Sequence, residues 1–310
     1  MTKPTLGQTA PEEIRVALRN GAKALRLHLG PYVARIQSPL PEVAGSILNL
    51  YRHHELADGD SFVDFDVAVR RPLSPRALWR PQVVFEFEGE EPFNPLPGDQ
   101  GFPLLEWGLN WCVYGQCHQH LTLHAAVLER HGRALLLPAP SGSGKSTLCA
   151  ALSFSGWRLL SDELALVEPR HCELIPLPRP VSLKNASIDV IRRFAPHVEF
   201  GSMVQETAKG VVAHFPPPEA AVRASEQRAL PGWVVFPKYL AGAPARLVPL
   251  ERARAFMQLI ENAFNYDIYG AEGFDLLGTL VDQSACYSFE YGDLEQAVAL
   301  FDRLGRGEHV

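Results

Sequence analysis

Lysine is scarce in this chain of 310 residues: six occur against 23 arginines, within a total of 29 basic and 35 acidic side chains. No long Lys/Arg run is present, and a net charge of −6 with a pI near 6.0 argues against broad nucleic-acid binding. No stretch approaches the roughly 18 consecutive apolar residues of a membrane-spanning helix. Met1 to Gly7 lacks the charged-then-apolar pattern of an export signal, so a soluble, cytoplasmic chain with no membrane partner is expected. The five cysteines, Cys112, Cys117, Cys149, Cys172 and Cys286, are odd in number and irregularly spaced, which suits reduced thiols rather than a disulfide framework. Cys112, Cys117, His118, His120 and His124 cluster, but they lack the second, well-separated ligand set of a structural zinc site. No internal repeat is visible, and the length allows one large or two modest domains.

What the chain does have is concentrated between Leu135 and Thr147, where an apolar strand runs into a glycine-rich loop ending in Gly-Lys-Ser. This is GxxxxGK[ST] with Ala139 in place of the first glycine, a replacement tolerable if that residue keeps φ negative. Gly142 and Gly144 would let backbone N–H groups turn inward at a helix N-terminus, where unpaired donors and the dipole favour an anion. Ser141, Gly142, Ser143, Gly144, Lys145, Ser146 and Thr147 are therefore the expected cradle for ATP. Lys145 would reach the β- and γ-phosphates, and the Ser146 hydroxyl would ligate Mg²⁺. The competing reading is a loop that merely turns a strand into a helix. Context favours the cradle, because Arg133 to Leu137 reads as a strand and Leu148, Ala151, Leu152 and Ser155 recur at helical spacing before Gly156.

Two further features flank the loop. Downstream, Trp157 to Leu160 is a short apolar run ending in Ser161-Asp162-Glu163. In P-loop proteins the strand beside the P-loop strand commonly delivers a carboxylate to the metal or to the attacking nucleophile. The plainer alternative is a pair of solvated turn acids, since another strand-like run, Leu164 to Val167, follows at once. Upstream, His124 lies in the strand-like run Leu121 to Leu128, one hairpin before the loop, with Arg130-His131-Gly132 making the turn. Taken alone, a histidine on an apolar strand reads as a packed core residue.

Together these residues resemble the catalytic domain of HPr kinase/phosphorylase, and most closely the family called HprK-related kinase A. That kinase family places a His on the strand before the P-loop hairpin, then Gly-x-Ser-Gly-x-Gly-Lys-Ser, then Arg-Leu-Val-Ala-Asp-Asp. His124, the loop Ala139 to Ser146, and Arg158-Leu159-Leu160-Ser161-Asp162-Glu163 line up with those elements without a gap. The resemblance implies an α/β fold: an HPr kinase/PEP carboxykinase-like P-loop domain with a mixed β-sheet. It also implies that Asp162 is the general base, that His124 orients it or shares its charge, and that Glu163 ligates metal or water. Two positions and one missing segment depart from the pattern: Ala139 replaces a Gly, Glu163 replaces an Asp, and no later Glu-Ile-Arg-Gly-Leu-Gly segment is found. They touch the phosphorylase half-reaction and HPr as substrate rather than phosphoryl binding.

In place of that segment stand Pro178 to Asn185 and Thr207-Ala208-Lys209-Gly210, which look like motifs of the HprK-related group. Where arginine is the habitual cation, a lysine suggests a compact point charge, so Lys184 and Lys209 are candidates for clamping phosphate or acceptor. Surface lysines at loop ends are the alternative.

Elsewhere, periodicity predicts helices over Glu12 to Arg19, Pro41 to His53, Leu104 to Cys117, Phe256 to Phe264 and Leu294 to Leu304. Strands are predicted within Ala24 to Gln37, with a turn at Gly30-Pro31, and at Ser61 to Arg70, Val83 to Phe87 and Cys286 to Tyr291. Trp107, Trp111 and Tyr114 read as a core stripe. Pro216 to Pro231, rich in Ala, Pro and charge, reads as a mobile loop able to close over substrate. A boundary near residue 115 is expected, with a smaller α+β N-terminal domain (1–115) of unknown role and a kinase domain (116–310). The expected activity is an ATP- and Mg²⁺-dependent kinase whose acceptor is a hydroxyl of a peptide, protein or small molecule. The alternative is a nucleotide-binding regulatory or scaffold module in a peptide-modification system. Assembly into a homo-oligomer is compatible with either.

Overall fold

Two sheets of unequal size and a small third one carry the chain in a computed structural model that describes residues 3–21, 24–73, 79–140 and 142–308. The first region runs α1 (Pro11–Arg19), β1 (Leu25–Leu29), β2 (Tyr32–Gln37), α2 (Pro41–Leu50), β3 (Phe65–Arg70), β4 (Gln82–Phe87), β5 (Leu96–Pro97) and α3 (Gly101–Gln116). Its five strands pair in sequence order, and the β1–β2 turn is Gly30-Pro31 as expected, with Gly30 at φ +57°. The strand predicted from Ser61 starts only at Phe65, because the Asp64 carboxylate accepts a hydrogen bond from Val33 N at 2.7 Å and turns the chain into the sheet. The helix predicted to His53 stops at Leu50. Beyond it, Arg52 O and His54 O accept bonds from Gly7 N and Leu6 N, each at 2.8 Å, so those carbonyls tie down the N-terminal segment.

The second region begins with the hairpin β6 (Leu121–Arg130) and β7 (Arg133–Pro138), then α4 (Lys145–Ser153), β8 (Arg158–Ser161), β9 (Leu164–Val167) and β10 (Leu174–Ile175). There follow β11 (Val181–Lys184), α5 (Ala186–Phe194), β12 (Val204–Thr207), β13 (Gly210–Phe215) and α6 (Glu219–Arg223). The chain closes with β14 (Leu230–Tyr239), β15 (Arg246–Pro249), α7 (Arg252–Glu261), α8 (Tyr266–Tyr269), α9 (Ala271–Asp282), β16 (Ala285–Tyr291) and α10 (Leu294–Gly305). The large sheet has the order β10-β9-β6-β7-β14-β16-β15, with β8 also paired to β6. It is mixed: β7, β14 and β16 are mutually parallel, and the other pairs are antiparallel. Strands β11, β13 and β12 form the third sheet.

The apolar runs of the large sheet follow from burial on both faces. Along β7, Leu135 and Leu137 join the core under α4 and α10, while Ala134 and Leu136 join the core under α7 and α9. The first region has its own core around Leu27, Ile36, Phe65 and Phe85, which also takes in Leu164, Leu166, Ile175 and Leu177 from β9 onward. The division at residue 115 falls at the end of α3 and remains a proposal about folding units.

Pro216 to Pro231 is built differently from the loop expected of it. It holds the short helix α6, Ala221 and Val222 are buried, and Arg158 donates to Ala224 O and Gln227 O, each at 2.9 Å. Central strand β14 carries Pro231 and Pro237, residues that ordinarily disqualify a run from a sheet interior, and the ladder shifts register between Pro231 and Trp233. Among the described residues, no helix is long and apolar enough to cross a membrane.

Helix α3 packs so closely on β4 that a methyl group added at Gly108 would lie 2.2 Å from the buried Phe85 ring. Gly108→Ala should therefore lower stability by about 1–3 kcal/mol in denaturant unfolding, although alanine is the better helix former by about 1 kcal/mol. An unchanged or raised midpoint would contradict this packing.

Candidate functional site

The loop after β7 closes onto α4 with Gly142 at φ +88° and Gly144 at φ +87°, while Ala139 is absent from the residues with positive φ. Gly144 caps the helix, its carbonyl accepting from Leu148 N at 3.0 Å and from Tyr291 Oη at 2.9 Å. A Cβ there would meet Tyr291 Oη at 2.4 Å, so sterics and dihedral both require glycine. Tyr239 N donates to Ser143 O at 2.9 Å, so the C-terminal ends of the parallel strands β14 and β16 brace the loop. Ser141 lies outside the described residues. Gly142 is exposed, Ser146 and Thr147 are half-buried in the first turn of α4, and Lys145 is buried with Nζ lacking any hydrogen-bond partner. Burial, opposed by Glu163 and Asp162, pulls the Lys145 ammonium below its ordinary pKa.

Asp162 and Glu163 occupy a break in a ladder. Strand β6 pairs with β8 up to Val127↔Ser161 and with β9 from His124↔Leu164, and the two acids are the residues between. Strand β8 therefore does not neighbour β7, because β6 of the hairpin already fills that edge. Asp162 is buried; its Oδ2 accepts from Ser182 N at 3.2 Å and its Oδ1 has no partner. Burial, reinforced by Glu163 and opposed by Lys145, pushes its carboxyl up to about 6.

Glu163 is held differently. Its Oε2 accepts from Asn110 Nδ2 at 3.0 Å, and its Oε1 lies 4.0 Å from His124 Nε2. Burial pushes this carboxyl up, but Lys145, Lys209, Lys184 and His124 outweigh burial and hold it below the usual range. His124 is pushed down to about 4 by burial and then by Lys145, so its imidazole is neutral near pH 7, and its 4.0 Å approach is to Glu163 without a charge of its own there.

The two lysine motifs meet in the third sheet. Asn185 Nδ2 donates to Lys209 O at 3.3 Å and Asn185 Oδ1 accepts from Val211 N at 3.0 Å, which locks the β12–β13 turn against the end of β11. Lys209 Nζ lies 5.2 Å from the centroid of Trp107, so one member of the expected core stripe faces the site instead. Lys184 shares a strand face with Ser182 by the two-residue alternation of β11.

Several contributors carry little signal in the sequence. Asn110 links Glu163 to Arg179, which donates from Nη2 to Asn110 Oδ1 and approaches Glu106 Oε2 at 4.0 Å from Nη1; Tyr51 Oη in turn donates to Glu106. Glu106 is raised by burial against the pull of Arg179. His214, opposite Ser182 in the β11–β13 ladder, is pushed down to about 3 by burial. Cys112, Cys117, His118, His120 and His124 do not converge. Among the described residues, the group of such donors close enough to share a cation is Glu168, His171 and Glu173.

A sequence model described as SynChlorMet cassette protein ScmC matches residues 107–229, which include α3 from Trp107 onward, the loop, both acids and both lysine motifs. No curated protein matches the chain. Among solved structures, the Hpr(Ser) kinase/phosphatase from Coxiella burnetii is similar at 12% identity, over 60% of this chain and 98% of that one, with a TM-score of 0.27. That likeness is too loose to carry an argument. The chain is a mixed α/β protein in which a glycine loop with Lys145 and two acids lie at one end of the large sheet, within electrostatic reach of Lys184 and Lys209 from the third sheet.

The buried carboxyl has a measurable cost. The folded chain keeps the Asp162 proton up to about pH 6, whereas the unfolded chain releases it near 3.8. Between those values the folded state binds more protons, so stability falls as pH rises through that window and levels off above it. Asp162→Asn should remove this slope and raise the stability of the ligand-free chain at about pH 7.5 by up to about 3 kcal/mol. Denaturant unfolding between about pH 4 and pH 8 checks it, and a variant with the wild-type pH profile would contradict the assignment.

Proposed function

We propose that this chain is an ATP- and Mg²⁺-dependent phosphotransferase that moves the γ-phosphoryl group to a hydroxyl of a peptide, a protein or a small molecule. The observation that carries the reading is a pair of buried, unpartnered groups of opposite charge, Lys145 Nζ and Asp162 Oδ1, each within electrostatic reach of the other. Leaving such groups unsatisfied costs stability, so their persistence suits a site completed by a ligand.

The residues present fit a nucleotide. Left-handed Gly142 and Gly144, the free N–H groups at the start of α4, the orphaned Ser143 hydroxyl and the orphaned Lys145 ammonium are the donors that a triphosphate takes. They also fit a hard cation, for which Ser146, Asp162 and Glu163 offer oxygen; bound there, Mg²⁺ would supply charge neutralisation on the phosphates. Asp162 is suited to accept the proton of the attacking hydroxyl, because a base works best with a pKa near the working pH. Glu163, fixed by Asn110 and kept ionised by surrounding cations, is suited to orient rather than to accept a proton. His124, neutral, would hold Glu163 in place. Lys184 and Lys209 would take up negative charge on the phosphates or the acceptor.

One observation favours the second reading, a nucleotide-binding regulatory or scaffold module in a peptide-modification system. The crevice that Asp162 and Glu163 line measures only about 20 Å³, and Lys145 is not among its walls. The two readings separate experimentally. Lys145→Ala should abolish the ATP-induced rise in Tm. Asp162→Asn should keep that rise yet lower transfer of ³²P from [γ-³²P]ATP to candidate peptides or free serine by at least about a hundredfold. An ATP-induced rise in Tm that persists in Lys145→Ala would sink the cradle. Wild-type transfer by Asp162→Asn would sink the base.

A further inference from the structure

Asn185 stands at the start of α5 with φ +52° and ψ −130°, a backbone combination in which glycine is at ease and other residues are strained. An asparagine at that position ordinarily caps its helix by accepting from an N–H of the first turn. This one makes no such bond. Its side chain turns to the β12–β13 connection instead, where Oδ1 accepts from Val211 N at 3.0 Å and Nδ2 donates to Lys209 O at 3.3 Å. The connection is shaped to receive it, since Gly210 has φ +82° and a Cβ there would run into Asn185 Oδ1. A strained backbone and a forgone cap are both costs, and residues that carry such costs concentrate where geometry serves function.

Closing the hairpin does not require Asn185. Ala208 and Lys209 connect the paired residues Thr207 and Gly210, and Thr207 already ties the turn from within: its Oγ1 donates to Gly210 O at 2.6 Å and accepts from Lys209 N at 3.0 Å. What the second tie fixes is the direction in which Lys209 leaves the turn. An exposed lysine on an untied turn would spread over many rotamers. Here its ammonium lies over the Trp107 ring, 5.2 Å from the centroid, and Trp107 is one turn of α3 before Asn110, the residue that holds Glu163. Lys184 and Glu163 are the charged groups that act on Lys209 there. We propose that Asn185 is a positioning residue: at a cost to its own backbone it aims the Lys209 ammonium across Trp107 toward Glu163, where that cation takes up negative charge during phosphoryl transfer. The role in transfer rests on the phosphotransferase reading, and the aiming itself does not. The donors expected to take the triphosphate lie on the loop after β7 and on α4, outside this contact, so nucleotide capture does not depend on it.

The test uses the full chain and Asn185→Gly, which takes φ +52° without strain and removes only the side-chain bonds. With ¹³C-labelled lysine the chain gives six side-chain signals, of which that of Lys209 is identified by its loss in Lys209→Ala. In the wild type the Trp107 ring should move this signal upfield, and Asn185→Gly should return it to the position of a free lysine. A wild-type signal without the upfield shift, or a shift that persists in Asn185→Gly, overturns the proposal. At saturating Mg²⁺·ATP, Asn185→Gly should lower transfer of ³²P to free serine or a candidate peptide by at least about tenfold and keep the ATP-induced Tm rise. In a Lys209→Ala background it should lower transfer no further, because Asn185 acts through Lys209. Wild-type transfer by Asn185→Gly, loss of its Tm rise, or a further fall in the double variant overturns the role in transfer. A wild-type chain that shows the Tm rise but transfers to none of these acceptors instead overturns the phosphotransferase reading, and with it that role. The lysine signal then still decides whether Asn185 aims Lys209.

Discussion

One strand serving two partners is the constraint on which the site depends. Strand β6 is ten residues long and pairs along the same edge with β8 at its far end and β9 at its near end. The chain between those partners cannot stay in the ladder, and it leaves at Asp162 and Glu163. Because β8 beyond Arg158 and all of β9 are uncharged and buried, these two residues are the place where the segment from Leu159 to Val167 brings charge to the sheet. Antiparallel pairing through β6 aligns the break with Ala125 and with Pro138, the last residue of β7, so the acids and the glycine loop share one end of the sheet. Geometry and charge thus have a common origin in the hairpin.

The acids do not stand on the large sheet alone. Glu163 is tied through Asn110 to Arg179 and Glu106, and Tyr51 completes the chain of contacts at the end of α2. Arg179, Glu106 and Tyr51 are buried, in a setting where an ion pair adds little net stability but where loss of one partner costs about 3–5 kcal/mol. Such a chain fixes geometry more than it stabilises the fold. Its consequence is that α3 of the first region positions a carboxylate of the second. Two otherwise separate cores therefore meet at a polar contact as well as through Leu164 and Leu166.

Much of this was legible because its signals are local. The loop, its flanking strand and helix, the β6–β7 hairpin and the short strands either side of Asp162 all announce themselves within about ten residues by alternation, helical spacing and glycine. The strands β1 to β4 and the helices α1, α3, α7 and α10 were legible for the same reason, with ends off by a few residues where a side chain such as Asp64 takes over the backbone. Strand β14 was not, because Pro231 and Pro237 contradict the pattern of a central strand and only its long-range parallel neighbours hold it there. The partners of the acids were illegible too. Asn110 and Glu106 sit on a largely buried helix, His214 on a strand whose pairing with β11 is not local, and nothing local marks a polar residue that faces another polar residue more than fifty positions away.

The electrostatics of the two principal groups are best understood as one unfinished balance. Lys145 is depressed because burial strips its ammonium of water, and Asp162 is raised because burial does the same to its carboxylate. Each pulls the other back toward its charged form, yet Lys145 Nζ and Asp162 Oδ1 both lack a hydrogen-bond partner, and only Oδ2 is met, by Ser182 N, so the mutual attraction is incomplete. An anion placed on the glycine loop would favour the charged lysine directly. It would also oppose the negative charge on Asp162, keeping that carboxyl near neutrality unless a cation enters with the anion. In the proposed phosphotransferase the arrangement would couple the state of Asp162 to the charge of the ligand: a triphosphate alone would disarm the carboxylate, and a metal-bound one would restore it. This coupling would follow from burial and charge alone, whichever acceptor the proposed reaction used.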